Sequence, residues 1–404
     1  MLTKNKNSKY IIYVLGLLAA LGPFSIDMYL PGFKVIAADL NTSASAVALT
    51  LSSYFIGISA GQLLYGPLLD KYGRKKPLYF GVLLYLAACA GCYFSADINH
   101  LIVFRFLQAI GSCAAAVASV ALVRDLYEPQ ERAKAFASIM LVIALSPMLA
   151  PTIGGYLIAV AGWQTVFIFL AVMAVCILLL SYFFIPEVFV PEPGYSLKPT
   201  PILKGYFSVI KEPQFVTYAL VSALIFSGLF VYVASSPIIF MELYGVSETG
   251  YGWIFAGLSV AFIGASQVNS YILRWYSSAK IINYALVLCI LSSVAFLAFA
   301  LLGMLNLVNT LIFLALFLIG LGFINPNASA LSLEPFSKNA GSASALMGAV
   351  QMGLGALVSG LASSFPAGSV LPMPLCMTAA SILAAVVLMV KRRNKLSGLT
   401  SISN

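Results

Sequence analysis

Apolar runs long enough to cross a bilayer repeat along the whole chain, separated by short breaks that hold nearly all the charge. A membrane helix needs about 20 mostly apolar residues to cover roughly 30 Å of hydrocarbon. Twelve runs qualify: Tyr10–Leu30, Ala46–Leu69, Pro77–Phe94, Leu101–Val123, Ala135–Ala159, Trp163–Ile185, Phe215–Met241, Tyr251–Trp275, Ile281–Met304, Val308–Leu333, Ser342–Phe365 and Val370–Val390. The one long polar break, Pro186 to Pro213, follows the sixth run. The pattern predicts an all-α membrane protein of twelve transmembrane helices in two pseudo-symmetric six-helix bundles. Residues 1–185 form the first bundle, 186–213 a cytoplasmic linker, and 214–404 the second bundle with a short basic tail.

Charge placement orients the helices, because Lys and Arg in short loops stay cytoplasmic. With the N-terminus inside, twenty of the 22 Lys and Arg residues fall on the inner side. They include Lys4, Lys6 and Lys9, the Lys71–Lys76 loop, Lys198, Lys338 and the cluster Lys391, Arg392, Arg393 and Lys395. Only Lys34 lies outside, and Arg105 lies within a span. Both termini are therefore expected in the cytoplasm. The first run, although preceded by lysines, has no convincing small-residue cleavage site after it and is read as a retained helix. Trp163, Trp253 and Trp275 fall at span ends, as interfacial anchors do.

Composition narrows the function. At 61% hydrophobic and 9% charged, with one His, the chain is unsuited to His-based hydrolysis or to a His-ligated metal. The net charge of +9 is spread between spans, as topology requires, and predicts no nucleic-acid partner. The six cysteines lie in apolar runs; Cys89 and Cys92 form a lone C-x-x-C that reads as packing. No phosphate-binding G-x-x-x-x-G-K-[ST] is present. No metal, cofactor or catalytic residue is expected.

Two ionisable residues sit well inside the hydrocarbon, Asp27 in span 1 and Arg105 in span 4. Each costs about 2.5–3.5 kcal/mol at a helix centre, so such groups usually face an interior cavity and act there. Burial favours the neutral form of a carboxyl group and a nearby guanidinium its charged form. Alternating between such environments lets one acid load and unload a proton. The competing reading is an ion pair that only holds helices together. The loop between spans 2 and 3, GPLLDKYGRKK, supplies Gly66 for close packing, Asp70 to end one helix, Gly73 for the turn and Arg74 to open the next. Arg74 can reach Asp125 at the end of span 4. In span 5, Pro147 and Pro151 each remove a backbone donor, and Gly154 and Gly155 permit close packing. Phe24, Tyr29, Tyr54, Gln108, Ile143 and Met148 are candidates to line a substrate pocket, with Phe230, Tyr232 and Val233 across a faint repeat. That repeat, a shift of 204 residues, sets Leu69 against Leu273, Tyr72 against Tyr276 and Asp27 against Val231. Asn325, Asn327 and Gln351 read as interhelical hydrogen-bonding groups.

The GPLLDKYGRKK loop, the RFLQAIGS run and the span 5 SPMLAPTIGGY string together resemble the drug/proton antiporters of the major facilitator superfamily. FSIDMYLP, VRDLYEPQERAKAFA and GFINPNASALSLEPF resemble its Bcr/CflA branch. The resemblance covers nearly the whole chain; Ala150 before Pro151 departs from the usual Gly-Pro pattern, and span 1 has a single acid. It implies a two-bundle fold, alternating access and proton-coupled export of small amphiphilic drugs of the amphenicol or bicyclomycin kind. It further implies Asp27 as proton carrier, Arg105 as its partner, and Gly66, Asp70, Gly73, Arg74 and Asp125 as an inner gate, with Asp70 near Ser342. A dedicated exporter of a metabolite, peptide or siderophore and a proton symporter for uptake are the alternatives. The expected partners are the substrate, protons and the lipid bilayer of a bacterial cytoplasmic membrane, with the chain acting as a monomer.

Overall fold

The computed structural model describes residues 8–187, 199–336, 340–365 and 369–400; Lys4, Lys6, Lys198 and Lys338 lie outside them. The described residues are helical, without strands. In chain order the helices are α1 Ser8–Asp27, α2 Phe33–Asp39, α3 Ala44–Tyr72, α4 Lys75–Tyr93, α5 Ile98–Leu126, α6 Pro129–Ala161 and α7 Gln164–Phe184. They continue as α8 Pro199–Ile210, α9 Pro213–Pro237, α10 Glu248–Ile272, α11 Ser278–Leu301, α12 Leu307–Leu333, α13 Ala340–Ser363 and α14 Pro372–Thr400. Twelve spans among the described residues are long and apolar enough to cross a membrane. The protein is a multi-pass membrane protein.

Local chemistry sets the ends. Ser43 caps α3 by accepting from Ala46 N at 3.1 Å, and Asp97 caps α5 by accepting from Asn99 N and His100 N. Asn306 and Asn309 cap α12 reciprocally, each side chain accepting from the other's backbone N–H. Two helices stop on glycines at positive φ, α3 at Gly73 (82°) and α6 at Gly162 (83°), a conformation costly for any side chain.

The first span is longer than its apolar run. After Asp27 the chain makes a short 3-10 turn, Leu30–Gly32, and resumes as α2, so the span reaches from Ile11 to Asp39. Lys34 is consequently on a helix rather than in a loop. Span 7 also ends irregularly, α9 passing at Pro237 into a π-helical turn, Ile238–Leu243. Trp163 corrects a sequence expectation. It is 2% exposed, not an interfacial anchor, and its indole donates to Asp39 at 2.8 Å, tying the start of α7 to the end of α2. Trp253 and Trp275 are exposed.

The chain divides into two compact units, Met1–Ile202 with Val246–Ala256, and Leu203–Gly245 with Gly257–Asn404. Within the first, α1 packs on α5, α6 and α7, and α4 on α5 and α7. Within the second, α9 packs on α12, α13 and α14, and α11 on α12 and α14. Matching each span with the one six later, these five pairings are the same. Most of α8 belongs to the second unit, where Val209 packs with Phe215, Ala219 and Ala343.

Candidate functional site

Arg105 is 0% exposed in the middle of the first unit. Its guanidinium lies 4.4 Å from the ring centroid of Tyr54 and 4.8 Å from that of Tyr29. One nitrogen, Nη1, donates to Gln108 Oε1 at 2.6 Å, while Nε and Nη2 are buried without a hydrogen-bond partner among the described residues. Two desolvated cation–π contacts, each worth up to about 2 kcal/mol, help hold this charge in place of a carboxylate. The surrounding groups are themselves anchored. Tyr54 shares a 2.8 Å hydrogen bond with Ser112, Tyr29 one of 3.1 Å with Thr50, and Gln108 donates to Cys89 Sγ at 3.1 Å. Arg105, Gln108 and Ser112 follow one helical face, at i, i+3 and i+7.

Asp27, the last residue of α1, is 6% exposed. It has no hydrogen-bond or ion-pair partner among the described residues, and it forms no salt bridge with Arg105. The direct ion pair offered by the sequence is therefore absent from this structure. What links the two sites is Tyr29, two residues beyond Asp27, whose ring covers the guanidinium. The helix α6 reaches the same place. A Cβ on Gly154 would collide with the backbone of Met28, so only glycine lets α6 approach the residue next to Asp27. Gly155 does likewise against the backbone of Glu248 and Thr249, within the same unit. Pro147 and Pro151 lie inside α6, which remains one helix through both.

At the α3–α4 turn, Arg74 donates from Nε to Asp125 at 2.6 Å and from Nη1 to Asp70 at 2.8 Å. Burial opposes its charge, but hydrogen bonds and attraction from Asp125 and Asp70 outweigh that cost and move its pKa upward. Gly73 makes the turn, and Arg74 and Lys75 open α4. Gly66 does not serve close packing, since a Cβ there would meet nothing within 4 Å. Asp70 lies within the last turn of α3, which continues to Tyr72.

The candidate pocket residues separate into two kinds. Tyr29, Tyr54 and Gln108 are fully buried and committed to Arg105, so they form its cage rather than an open wall. Phe24, Ile143 and Met148 are half-buried. In the second unit Phe230, Tyr232 and Val233 are buried in α9, with Phe230 edge-on to Phe226. The sequence reading missed Ser25, Thr50, Tyr85 and Ser112 as hydrogen-bonding members of the first unit; Ser25 and Tyr85 share a 2.6 Å hydrogen bond. Their only signal was a polar atom in an apolar helix, which serines and tyrosines give too often to single any out. Cys89, read as packing, also accepts from Gln108.

Comparison with known proteins agrees with this architecture. The Major Facilitator Superfamily model matches residues 15–360. An uncharacterised transporter of that superfamily from Bacillus subtilis, YdgK, is 33% identical over 87% of this chain and 88% of its own length. A bicyclomycin resistance protein homolog from Haemophilus influenzae is 31% identical over 95% and 96%. A chloramphenicol resistance protein from Pseudomonas aeruginosa is 29% identical over 91% and 86%. Among solved structures, a bacterial homolog of the lysosomal transporter Spinster superposes with a TM-score of 0.76 at 16% identity, covering 96% of this chain and 98% of the other. The twelve-span architecture, the family match and these full-length relatives lead to one conclusion: the chain belongs to the major facilitator superfamily of transporters and is similar to its Bcr/CflA drug-resistance branch.

Proposed function

We propose that the protein is a proton-coupled antiporter that exports small amphiphilic, neutral or zwitterionic drugs by alternating access, with Asp27 as the proton carrier and both termini in the cytoplasm. The observation that carries this reading is the asymmetry between the two buried charges. Arg105 is caged by Tyr29, Tyr54 and Gln108, while Asp27 has no fixed partner among the described residues. A carboxyl group locked in a buried ion pair would be slow to give up its counter-charge. One without such a lock can exchange its proton with whichever side it is opened to. One charge crossing 100 mV supplies about 2.3 kcal/mol, enough for more than a tenfold concentration ratio.

In the same reading Arg105 acts as a fixed positive charge that tunes Asp27 through Tyr29 instead of by contact. Asp70, Arg74 and Asp125 form a gate at the α3–α4 turn. Pro147, Pro151, Gly154 and Gly155 let α6 move against the end of α1. The names of the bicyclomycin- and chloramphenicol-resistance relatives support the drug class.

The test is proton movement in proteoliposomes carrying an imposed pH gradient and a pH-sensitive dye, with chloramphenicol first and a small panel behind it. Wild type should dissipate the gradient on substrate addition, and Asp27→Asn should not. Proton-driven transport retained by Asp27→Asn would remove Asp27 from the mechanism. A silent panel, with proton movement on adding a cell extract, would favour a dedicated metabolite exporter. Substrate accumulation with the direction of proton flow would mean symport.

A further inference from the structure

The second unit contains a polar node that the proton mechanism does not use. Gln351 Nε2 on α13 donates to Ser222 Oγ on α9 at 2.7 Å and to Asn325 Oδ1 on α12 at 3.1 Å. Ser222 Oγ in turn donates to the same Asn325 Oδ1 at 2.9 Å. The sequence suggests that these amides merely join helices, and a joining role would use their hydrogen-bonding groups up. It does not. Asn325 Oδ1 accepts twice and Gln351 Nε2 donates twice, which leaves Asn325 Nδ2 and Gln351 Oε1 with no hydrogen bond to any described residue. Gln351 is 9% exposed, Asn325 half-buried and Ser222 0% exposed. Turning either amide over alone would set two like groups against each other at the 3.1 Å contact.

Depth places the node where a carried molecule would be held. At 1.5 Å per helical residue, Ser222, Gln351 and Asn325 lie about 12 to 17 Å from the Pro213, Ala340 and Leu333 ends of their helices. A hydrocarbon core of about 30 Å thus puts all three near its middle, where transporters of this construction bind substrate. Neither Asn325 Nδ2 nor Gln351 Oε1 is among the fully buried side-chain atoms that lack a partner, so both stay within reach of a ligand, and one that completes both replaces the hydrogen bonds lost when water is excluded.

We propose that Asn325 Nδ2 and Gln351 Oε1 are a recognition site for an amide group of the transported molecule. The N–H of Asn325 donates to the ligand carbonyl, and Gln351 Oε1 accepts from the ligand N–H. Ser222 Oγ bonds to both amides without touching the ligand, and the direct 3.1 Å contact between Gln351 and Asn325 sets the pair's geometry. The site selects uncharged compounds with a primary or secondary amide or a lactam, and rejects fully substituted amides by leaving Gln351 Oε1 unmade. This rests on the transport reading above but not on its proton coupling.

The experiment is equilibrium binding of two radiolabelled probes to the purified full-length protein: chloramphenicol, a secondary amide, and its N-methylated derivative, which keeps the carbonyl and lacks the N–H. Wild type should bind the N-methyl compound roughly tenfold more weakly, the scale of one buried hydrogen bond. Gln351→Met should weaken chloramphenicol binding about tenfold, leave the N-methyl compound within about twofold, and so erase the discrimination. Asn325→Leu should weaken both, because both retain the carbonyl, and Ser222→Ala should preserve the discrimination.

Wild type that binds both probes equally overturns the site, and this result needs no variant to fold. Equal weakening of both by Gln351→Met, or lost discrimination in Ser222→Ala, reduces the node to a structural joint and overturns it too. The proton assay separates this proposal from the one it rests on. Discrimination without proton movement leaves the amide site standing and removes antiport, whereas proton movement without discrimination removes the site alone. Binding of neither probe removes the amide site and leaves antiport to the proton assay.

Discussion

The two units share a packing plan and divide the chemistry between them. In the first, α1 packs on α5, α6 and α7, and in the second α9 packs on α12, α13 and α14. The first unit holds the buried charges, Asp27 and Arg105, together with the Arg74 ion pairs. Among its described residues the second holds none of these; its buried polar groups there are amides and hydroxyls, in the Ser222, Asn325 and Gln351 node and in the 2.6 Å bond from Asn327 to Asn269. At the position matching Asp27 under the repeat stands Val231, 0% exposed. The difference teaches that a duplicated scaffold needs ionisable chemistry only once. A charge in the membrane is costly, so a half that uses no buried charge keeps neutral hydrogen-bonding groups.

The largest effect that would break this division is at Asp27. Asp27→Asn should cut gradient-driven export by at least about a hundredfold while preserving downhill substrate exchange, read by counterflow in liposomes. Gln351→Glu, on the other side of the comparison, should not restore proton coupling to that variant. If it did, the units would be interchangeable in their chemistry.

Next comes the cage of Arg105. Tyr54→Leu removes a cation–π contact and the hydrogen bond to Ser112 and should slow transport about tenfold, shifting its pH profile. Tyr54→Phe keeps the ring and should lose no more than about threefold. Equal losses in the two variants would mean the hydroxyl, not the ring, supports the guanidinium.

At the α3–α4 turn, Arg74→Ala should lower the turnover rate about five- to tenfold with substrate affinity unchanged, as expected of a group that acts on a conformational step. A change confined to affinity would contradict the gate. Two glycines of the first unit sharpen the packing side of the comparison. A Cβ on Gly111 would press on the backbone of Tyr85, whereas one on Gly66 meets open space. Gly111→Ala should destabilise by about 1–3 kcal/mol and lower the melting temperature in detergent, and Gly66→Ala should leave it unchanged.

The smallest effect is at the start of α5. The backbone N–H of His100, then its ring, hold the Asp97 carboxylate below its usual range. A depressed carboxylate contributes stability above its unfolded pKa, about 3.9, and loses that contribution as pH falls through the lower folded value. The melting temperature of Asp97→Asn should therefore match wild type more closely at pH 3 than at pH 6, by a margin small enough to need paired measurements.

Much of the fold was legible because the bilayer is a strict solvent. A segment in hydrocarbon must satisfy its backbone internally and be apolar for its whole length, so span number and approximate bounds can be read one run at a time. The same strictness made Asp27 and Arg105 conspicuous, and the GPLLDKYGRKK loop announced the Arg74 pair with Asp125 but not its second pair, with Asp70. The continuation of span 1 through Leu30–Gly32 into α2 was hidden by Lys34 and Asp39, whose charges looked like a loop. Trp163 looked like an interfacial anchor because nothing in its own segment points to Asp39, 124 residues away.

Residue order alone thus determined the helical class, the six-plus-six arrangement of spans, the family and the identity of the two buried charges, since each depends on local hydrophobicity, spacing or motif. Tertiary structure alone decided who meets whom. It set Arg105 between Tyr29 and Tyr54 instead of against Asp27, and brought Ser222, Asn325 and Gln351 together from three helices with one donor and one acceptor left over. Which polar groups satisfy each other across a bundle depends on how its helices are rotated and stacked, and that is a property of their packed faces together, not of any one segment.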